Sequence, residues 1–266
     1  MRYVIDHDYH LRPNLLFSAP HPLQAPENIL NFAKNSGLKQ ICFIDYWGIE
    51  NISDTHCGTR AIQERSLYST TDEDISCLCG CEFDLHANFS AGISSGKYDL
   101  FDFIIIAATD LQCLGCAISR EEYCSVQHHA ELWCEQFNMF LDIPLPFQKI
   151  GISHLPCSFI DRPTKEQSVQ SLNRIPPTHM EFLFNKIAKL GIGIEINFSD
   201  MKNAMQHPKE ILQPYRIAKM CGCKFYLGSD AYTQAAFTES RAVFDWAIDA
   251  LNLQESDKYI IEKHRK

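Results

Sequence analysis

The sequence predicts an α/β protein in which a parallel sheet curls into a barrel. Short apolar segments with strand character alternate with amphipathic segments along the chain, a pattern that gives parallel sheets with helical crossovers. In addition, nearly every predicted strand ends at its carboxyl edge in a residue that can bind a metal ion or a proton. In parallel α/β barrels the active site is built from residues at those edges, so the two observations predict the same architecture.

Seven strands are predicted, each with one such residue at or near its end. They are 3–6 with His10, 40–44 with Asp45, 77–81 with Glu82, 103–108 with Asp110, 149–153 with His154, 193–196 with Glu195, and 224–227 with Asp230. Aspartate is also a common turn former, which would account for Asp45 or Asp230 taken singly. It does not account for a glutamate behind a run of cysteines or a histidine behind Gly-Ile-Ser. A shared site is therefore the favoured interpretation.

Amphipathic segments fill the intervals between the strands. Pro26 opens the first helix, 27–35, and Gly37 closes it. A capping box at 119–122 predicts the start of a long helix that runs to about Phe140. Further helices are predicted at 178–190, 208–221 and 238–251. The segments 47–74 and 156–177 lack periodicity and are expected to be irregular.

Length and charge limit the function classes. A barrel domain needs about 250 residues, so the 266 residues here are expected to form one domain, 1–266. The net charge of −9, without a basic stretch, argues against nucleic acid or an anionic membrane as the main partner. No segment approaches the apolar length of a membrane helix, and no signal-peptide-like run opens the chain. A cytoplasmic protein is expected.

Cysteines and a histidine pair are weaker candidates for chemistry. Cys77, Cys79 and Cys81 alternate along one strand, so they share a face opposite Glu82 and are expected to pack against the helices. The pair Cys-Leu-Gly-Cys at 113–116 has zinc or redox spacing, but no second pair accompanies it. His128 and His129 are adjacent on a predicted helix and point in different directions, which favours packing or surface roles over a chelate.

Eight short motifs follow one another along the chain. They are Asp-Tyr-His-Leu-Arg at 8–12, His21 before the first helix, Ile-Asp-Tyr at 44–46, Gly-Cys-Glu at 80–82, Ala-Ala-Thr-Asp at 107–110, Gly-Ile-Ser-His-Leu-Pro at 151–156, Glu-Ile-Asn at 195–197, and Gly-Ser-Asp-Ala-Tyr at 228–232. In this order and spacing the set resembles the PHP (polymerase and histidinol phosphatase) superfamily, especially its small histidinol-phosphatase-like phosphoesterases. The resemblance implies a distorted (β/α)7 TIM-like barrel with up to three metal ions at the strand ends.

Four positions depart from the motifs of that family. Arg12 stands for the second histidine of Asp-x-His-x-His, Tyr46 for the histidine of Thr-Asp-His, Asp110 for that of Ser-Val-His, and Tyr232 for that of Gly-Ser-Asp-Ala-His. The ligands that the resemblance leaves are His10, His21, Glu82, Asp110, His154 and Asp230. Neutral tyrosine is a poor ligand for zinc or manganese. One or two divalent ions (zinc, manganese, iron or magnesium) are therefore expected, not three.

The resemblance implies hydrolysis of a small phosphate monoester. Arg12 is expected to grip the substrate phosphate, or else to replace a metal ion as the local positive charge. Asp45 or Asp230 is expected to orient the attacking water or to act as a base. The four altered positions also motivate an alternative, a PHP-fold protein that has lost catalysis and binds a ligand or partner. A non-phosphatase enzyme that uses Arg12 and the tyrosines is a further alternative.

Overall fold

A computed structural model describes residues 10–11, 26–47, 75–83, 95–106, 125–156, 165–229 and 234–261. Within these ranges seven strands form one sheet in chain order, and each strand runs parallel to its neighbours. The strands are β1 His10–Leu11, β2 Gln40–Trp47, β3 Ser76–Phe83, β4 Phe103–Ile106, β5 Ile150–Ile152, β6 Gly193–Asn197 and β7 Lys224–Gly228. Strands β1 and β7 lie near one another in space. The fold is thus α/β with a curled parallel sheet.

Helices occupy the intervals between the strands. They are α1 Pro26–Asn35, α2 Val126–Phe140, α3 Lys165–Leu172, α4 Pro177–Leu190, α5 Phe198–Ala204, α6 Pro208–Met220 and α7 Gln234–Leu251. Short 3-10 helices cover Ser95–Leu100, Phe147–Lys149 and Glu255–Asp257. Across the ranges that the structure describes, no helix combines the length and the apolar character needed to cross a membrane.

Several element boundaries differ from the prediction. His10 lies within β1 and Asp45 within β2, so neither residue follows its strand as expected; residues 3–6 are outside the described ranges. The long helix begins at Val126, where the Ser125 hydroxyl accepts a hydrogen bond from the His128 amide at 3.0 Å. The start predicted from the 119–122 box is therefore wrong, because extended backbone at Ser125 interrupts any helix from there. The segment 156–177 contains α3, which its prolines concealed.

The outward face of the sheet packs against the helices. Cys77, Cys79 and Cys81 are buried in this layer as free thiols, as their alternation on one strand predicted. Across from the strands, Trp133 and Phe137 of α2 stack edge to face with ring centroids 4.9 Å apart. This continuous apolar layer is the main core.

The interior face carries a second, smaller apolar cluster toward the amino ends of the strands. Its members are Cys42, Ile44, Leu78, Phe103, Ile105, Tyr226, Tyr259 and Ile261. Tyr259, which comes after α7, donates its amide to the Phe225 carbonyl at 2.7 Å and its hydroxyl to the Gln148 carbonyl at 2.5 Å. The segment after α7 therefore seals this end of the sheet, and polar residues occupy the other end.

Candidate active site

Glu82 lies one residue before the end of β3, on the interior face. Its neighbours Cys79 and Cys81 point outward into the helix layer, so strand alternation directs Glu82 inward. The side chain is only 2% exposed. The Ser153 hydroxyl lies 3.5 Å from Glu82 Oε1, within hydrogen-bond reach. On the neighbouring strand β2, Tyr46 and not Asp45 pairs in register with Glu82. A buried carboxylate thus stands at the carboxyl end of the sheet, as predicted.

His154 follows β5 by two residues and adopts left-handed backbone, with φ of 50°. Such a conformation is uncommon for a residue other than glycine and is frequent at functional sites. The backbone amide of His154 donates to Glu195 Oε2 at 3.3 Å. Its Nδ1 lies 3.9 Å from Asp200 Oδ2. The backbone of His154 is therefore bonded to a carboxylate of the following strand, and its ring lies near a carboxylate of the following helix.

Glu195 and Asp200 are both fully buried. Glu195 lies in the middle of β6, and Asp200 lies in the first turn of α5 directly after it. Asn197 fixes this junction, because its Oδ1 accepts hydrogen bonds from the amides of Ser199 at 2.9 Å and Asp200 at 3.2 Å. Glu195 was expected at a strand end but was not placed among the ligands, and Asp200 was not expected at all. A capping asparagine at the end of a strand, followed by an acid in the first helical turn, was the available signal.

Two buried tyrosines complete the acidic cluster. Burial, and then the carboxylates of Asp200 and Glu195, raise the pKa of Tyr215 on α6 well above its ordinary value. Burial, and then Glu195 and Glu82 together with neighbouring phenols, do the same for the pKa of Tyr226 on β7. Both phenols therefore keep their protons beside the carboxylates, although neither hydroxyl makes a hydrogen bond to a described residue.

Glycines on the interior face leave room for these side chains. A methyl group at Gly228 would stand 1.7 Å from Glu195 Oε1. One at Gly151 would stand 2.6 Å from the Tyr226 hydroxyl. Neither glycine has the left-handed backbone that favours the residue. The lack of space for a side chain, and not the backbone conformation, therefore explains why glycine occupies both positions.

The structure describes the positions of only some of the predicted ligands. Glu82 and His154 lie at the same end of the sheet, as predicted. His10 and Asp45 are described in their strands by backbone alone, and Arg12, His21, Asp110 and Asp230 lie outside the described ranges. Within those ranges, no three histidine, cysteine, aspartate or glutamate side chains are arranged to hold a metal ion. The full ligand set stays a prediction.

A groove of about 570 Å³ lies elsewhere, on the helix layer. Glu131 and Cys134 of α2 line one side of it, and His179 and Phe182 of α4 line the other. None of its lining residues belongs to a strand. It is therefore separate from the carboxylates at the strand ends.

Comparison with known proteins adds a finding on the fold. No family model matches the chain, and no curated protein matches it either. Among solved structures, the chain is similar to a histidinol phosphate phosphatase from Lactococcus lactis subsp. lactis Il1403, crystallised with zinc, L-histidinol and phosphate. The TM-score is 0.56 and the identity is 16%, and the match covers 90% of this chain and 92% of that one. The chain has the fold of a histidinol phosphate phosphatase. The fold resemblance inferred from the ordered motifs is thereby confirmed, and at this identity the likeness is one of fold.

Proposed function

We propose that the protein is a metal-dependent phosphoesterase that hydrolyses a small phosphate monoester in one (β/α)7 barrel domain, 1–266. The observation that carries the proposal is that Glu82, Glu195 and Asp200 are buried, and that His154, just beyond the carboxyl end of β5, bonds through its amide to Glu195 and lies 3.9 Å from Asp200. Active sites of parallel α/β barrels lie at this end. The histidinol phosphate phosphatase of the same fold was crystallised with zinc and phosphate, which supports this choice of chemistry.

The donor set suits a divalent ion. Carboxylate oxygens and an imidazole nitrogen are ligands that zinc, manganese and iron accept, and magnesium accepts the oxygens. Carboxylates buried as deeply as Glu82 and Glu195 favour a cation close by. Glu82 and His154 would hold the ion, and His10, His21, Asp110 and Asp230 would complete the ligands. When bound, the ion supplies positive charge beside the phosphate and lowers the pKa of a water molecule.

Other side chains of the protein would orient the metal ligands, the phosphate and the attacking water. Asp200, whose Oδ2 lies 3.9 Å from Nδ1 of His154, would orient the His154 ring, and the Ser153 hydroxyl would orient Glu82; partners of this kind hold metal ligands in place. In this proposal Arg12 binds two phosphate oxygens through its guanidinium group. Asp45 or Asp230 orients the attacking water or accepts its proton.

Metal content and activity of a Glu82→Gln variant test the proposal. Protein purified without chelators should contain one or two divalent ions and hydrolyse small phosphate monoesters. Glu82→Gln should lower metal affinity and turnover together, by about tenfold or more, because it removes a negative ligand. The exposed Glu131→Gln on α2 is the matched control and should change neither quantity.

The other outcomes separate the alternatives. Three tightly bound ions would contradict the expected loss of one site. Wild-type protein that binds neither metal nor phosphate esters but retains its fold would favour a non-catalytic binding protein. Unchanged metal content and turnover in Glu82→Gln would place Glu82 outside the site.

A further inference from the structure

The groove on the helix layer lies between two helices, α2 and α4, that run side by side. Phe137 of α2 packs edge to face on Phe184 of α4, with ring centroids 6.0 Å apart. Just after α2, Asp142 accepts a hydrogen bond at 2.5 Å from Lys186, which lies further along α4. Later residues of one helix thus contact later residues of the other. The two helices therefore run in the same direction, one on each side of the groove.

Apolar side chains at the groove are exposed to water. Ile175 lines the groove and is 2% exposed, whereas Phe182 at its edge is 61% exposed. The Cys221 Sγ lies 3.7 Å from the carbonyl oxygen of Glu181, the residue before Phe182. Met220, the residue before Cys221, is 79% exposed. An apolar groove with exposed apolar side chains beside it is typical of a surface that binds another protein.

The acidic and basic residues of the groove are divided between its two walls. Glu131 and Glu135 lie on the α2 wall, and Arg174 lies on the other wall, just before α4. All three side chains are exposed. In the part of the chain that the structure describes, neither Glu135 nor Arg174 forms a salt bridge. A protein that fits this groove must present a cation to the α2 wall and an acid to the α4 wall.

We propose that the groove is the interface of a symmetric homodimer. A two-fold axis along the groove places the α2 wall of one copy over the α4 wall of the other, and the same contact then occurs twice. Glu131 and Glu135 face Arg174 of the partner subunit, so a second copy carries the required charges. Each Phe182 packs on the α2 wall of the opposite copy. The net charge of −9 per chain opposes association weakly, because physiological salt screens charges more than about 8 Å apart.

The first experiment measures the oligomeric state of the full chain by sedimentation equilibrium, from micromolar concentration upward. The wild type should form a dimer. Arg174→Glu places like charges opposite one another at both symmetry-related contacts, so it should raise the dimer Kd by about tenfold or more. Arg216→Glu, at an exposed arginine of α6 outside the groove, is the matched control and should leave the Kd unchanged. A monomeric wild type would overturn the proposal and leave the groove to a different protein or a small apolar ligand.

The second experiment mixes two variants and tests the pairing itself. A chain with Glu131→Lys and Glu135→Lys should also be largely monomeric alone, since cations then lie on both walls. In an equimolar mixture with Arg174→Glu, the reversed charges of the two chains face each other, and so do the wild-type charges. The mixture should therefore regain the dimer. A mixture that stays monomeric would overturn the proposal, as would separate variants that dimerise like the wild type.

Circular dichroism and thermal melts check that each variant is folded, which the exposure of these side chains favours. Arg174→Gln removes the charge without reversing it and replaces Arg174→Glu if the reversal lowers the folded fraction. It should weaken the dimer in the same direction, and an unchanged Kd would count against the interface. The inference does not depend on the proposed function, because the groove is separate from the carboxylates at the strand ends. Metal content should be the same in all of these variants.

Discussion

On the outward face of the sheet, strand after strand presents isoleucine, phenylalanine or cysteine to the helices, while the carboxyl end of the interior face carries acids, serine and glycine. Strand β3 contains both patterns, since Cys77, Cys79 and Cys81 are buried among apolar side chains and Glu82 belongs to the acidic cluster. Strand β6 repeats the arrangement, with Ile194 and Ile196 outward and Glu195 inward. Period-two alternation therefore separates stability from chemistry within single strands.

The two faces use glycine and aromatic residues differently. Phe137 fills the outward layer in contact with Trp133 and Phe184. On the interior face, Gly151 and Gly228 leave space for Tyr226 and Glu195. Burying a large apolar side chain stabilises a fold by about 1.5–3 kcal/mol, and the interior face gives up part of that gain around its acids. Substitutions on the outward face should then change stability, whereas those near the acids of the interior face should change the site.

Phe137→Ala should break the outward face and have the largest effect. The side chain is fully buried, so its loss leaves a cavity and should lower the free energy of unfolding by about 3–5 kcal/mol. Urea denaturation followed by circular dichroism measures this change. Phe182→Ala is the matched control, because Phe182 is 61% exposed, and it should cost well under half as much. Equal losses in the two variants would show that Phe137 is not part of a close-packed core.

His129→Leu tests the titratable side chain that the outward layer buries on α2. Burial, and then the charge of His128, lower the pKa of His129 from 6.5 to about 4. The unfolded chain therefore takes up a proton at higher pH than the folded chain does. Stability should fall as the pH drops from about 6.5 to 4, and it should level off below that range. Over the full range the effect corresponds to roughly 3–4 kcal/mol.

The measurement compares the free energy of unfolding at pH 7 and pH 4.5. His129→Leu should lose about 2–3 kcal/mol less than the wild type between these values. His179→Leu, on the exposed surface of α4, should keep the wild-type pH dependence. If His129→Leu keeps the wild-type pH dependence too, burial does not lower the pKa of the His129 imidazole, and the outward layer around it is less apolar than its burial indicates.

Much of the fold could be predicted from the sequence because local rules determine it. Strand alternation correctly assigned the three cysteines of β3 to the helix layer. Element boundaries were harder. The 119–122 segment has the composition of a capping box, yet Ser125 caps α2, because any serine with extended backbone can cap and the sequence does not reveal which one adopts it. In 156–177 the prolines indicated irregular structure, but they flank the helix α3 and do not interrupt it.

The candidate site was predicted only where a residue lies at a strand end. Glu82 and His154 were expected there on that ground. Asp200 reaches His154 from a helix whose orientation depends on the Asn197 cap, and Tyr215 reaches the acids from α6. The positions of these two side chains depend on how their helices pack over the sheet. The spacing of residues within one segment does not specify that packing.

Gly228→Ala should give the smallest change in stability and a clear change in the site. The added methyl group would collide with Glu195 Oε1 at 1.7 Å and Cδ at 2.5 Å. These atoms belong to a flexible side chain, so the backbone can stay in place while Glu195 rotates away. The rotation removes the hydrogen bond from the His154 amide to Glu195. We expect about tenfold weaker Mn²⁺ binding, the equivalent of about 1.4 kcal/mol.

Gly193→Ala is the matched control on the neighbouring strand. Its methyl group would meet the Tyr259 ring at 2.8–3.0 Å. That ring is rigid and lies at the apolar end, so this variant should lose thermal stability and keep its Mn²⁺ affinity. Titration calorimetry and thermal melts on both variants measure the two quantities. The division between the ends of the interior face would be wrong if Gly193→Ala weakened metal binding as much as Gly228→Ala. In that case both glycines would support one continuous core, and the acids would not form a separate site.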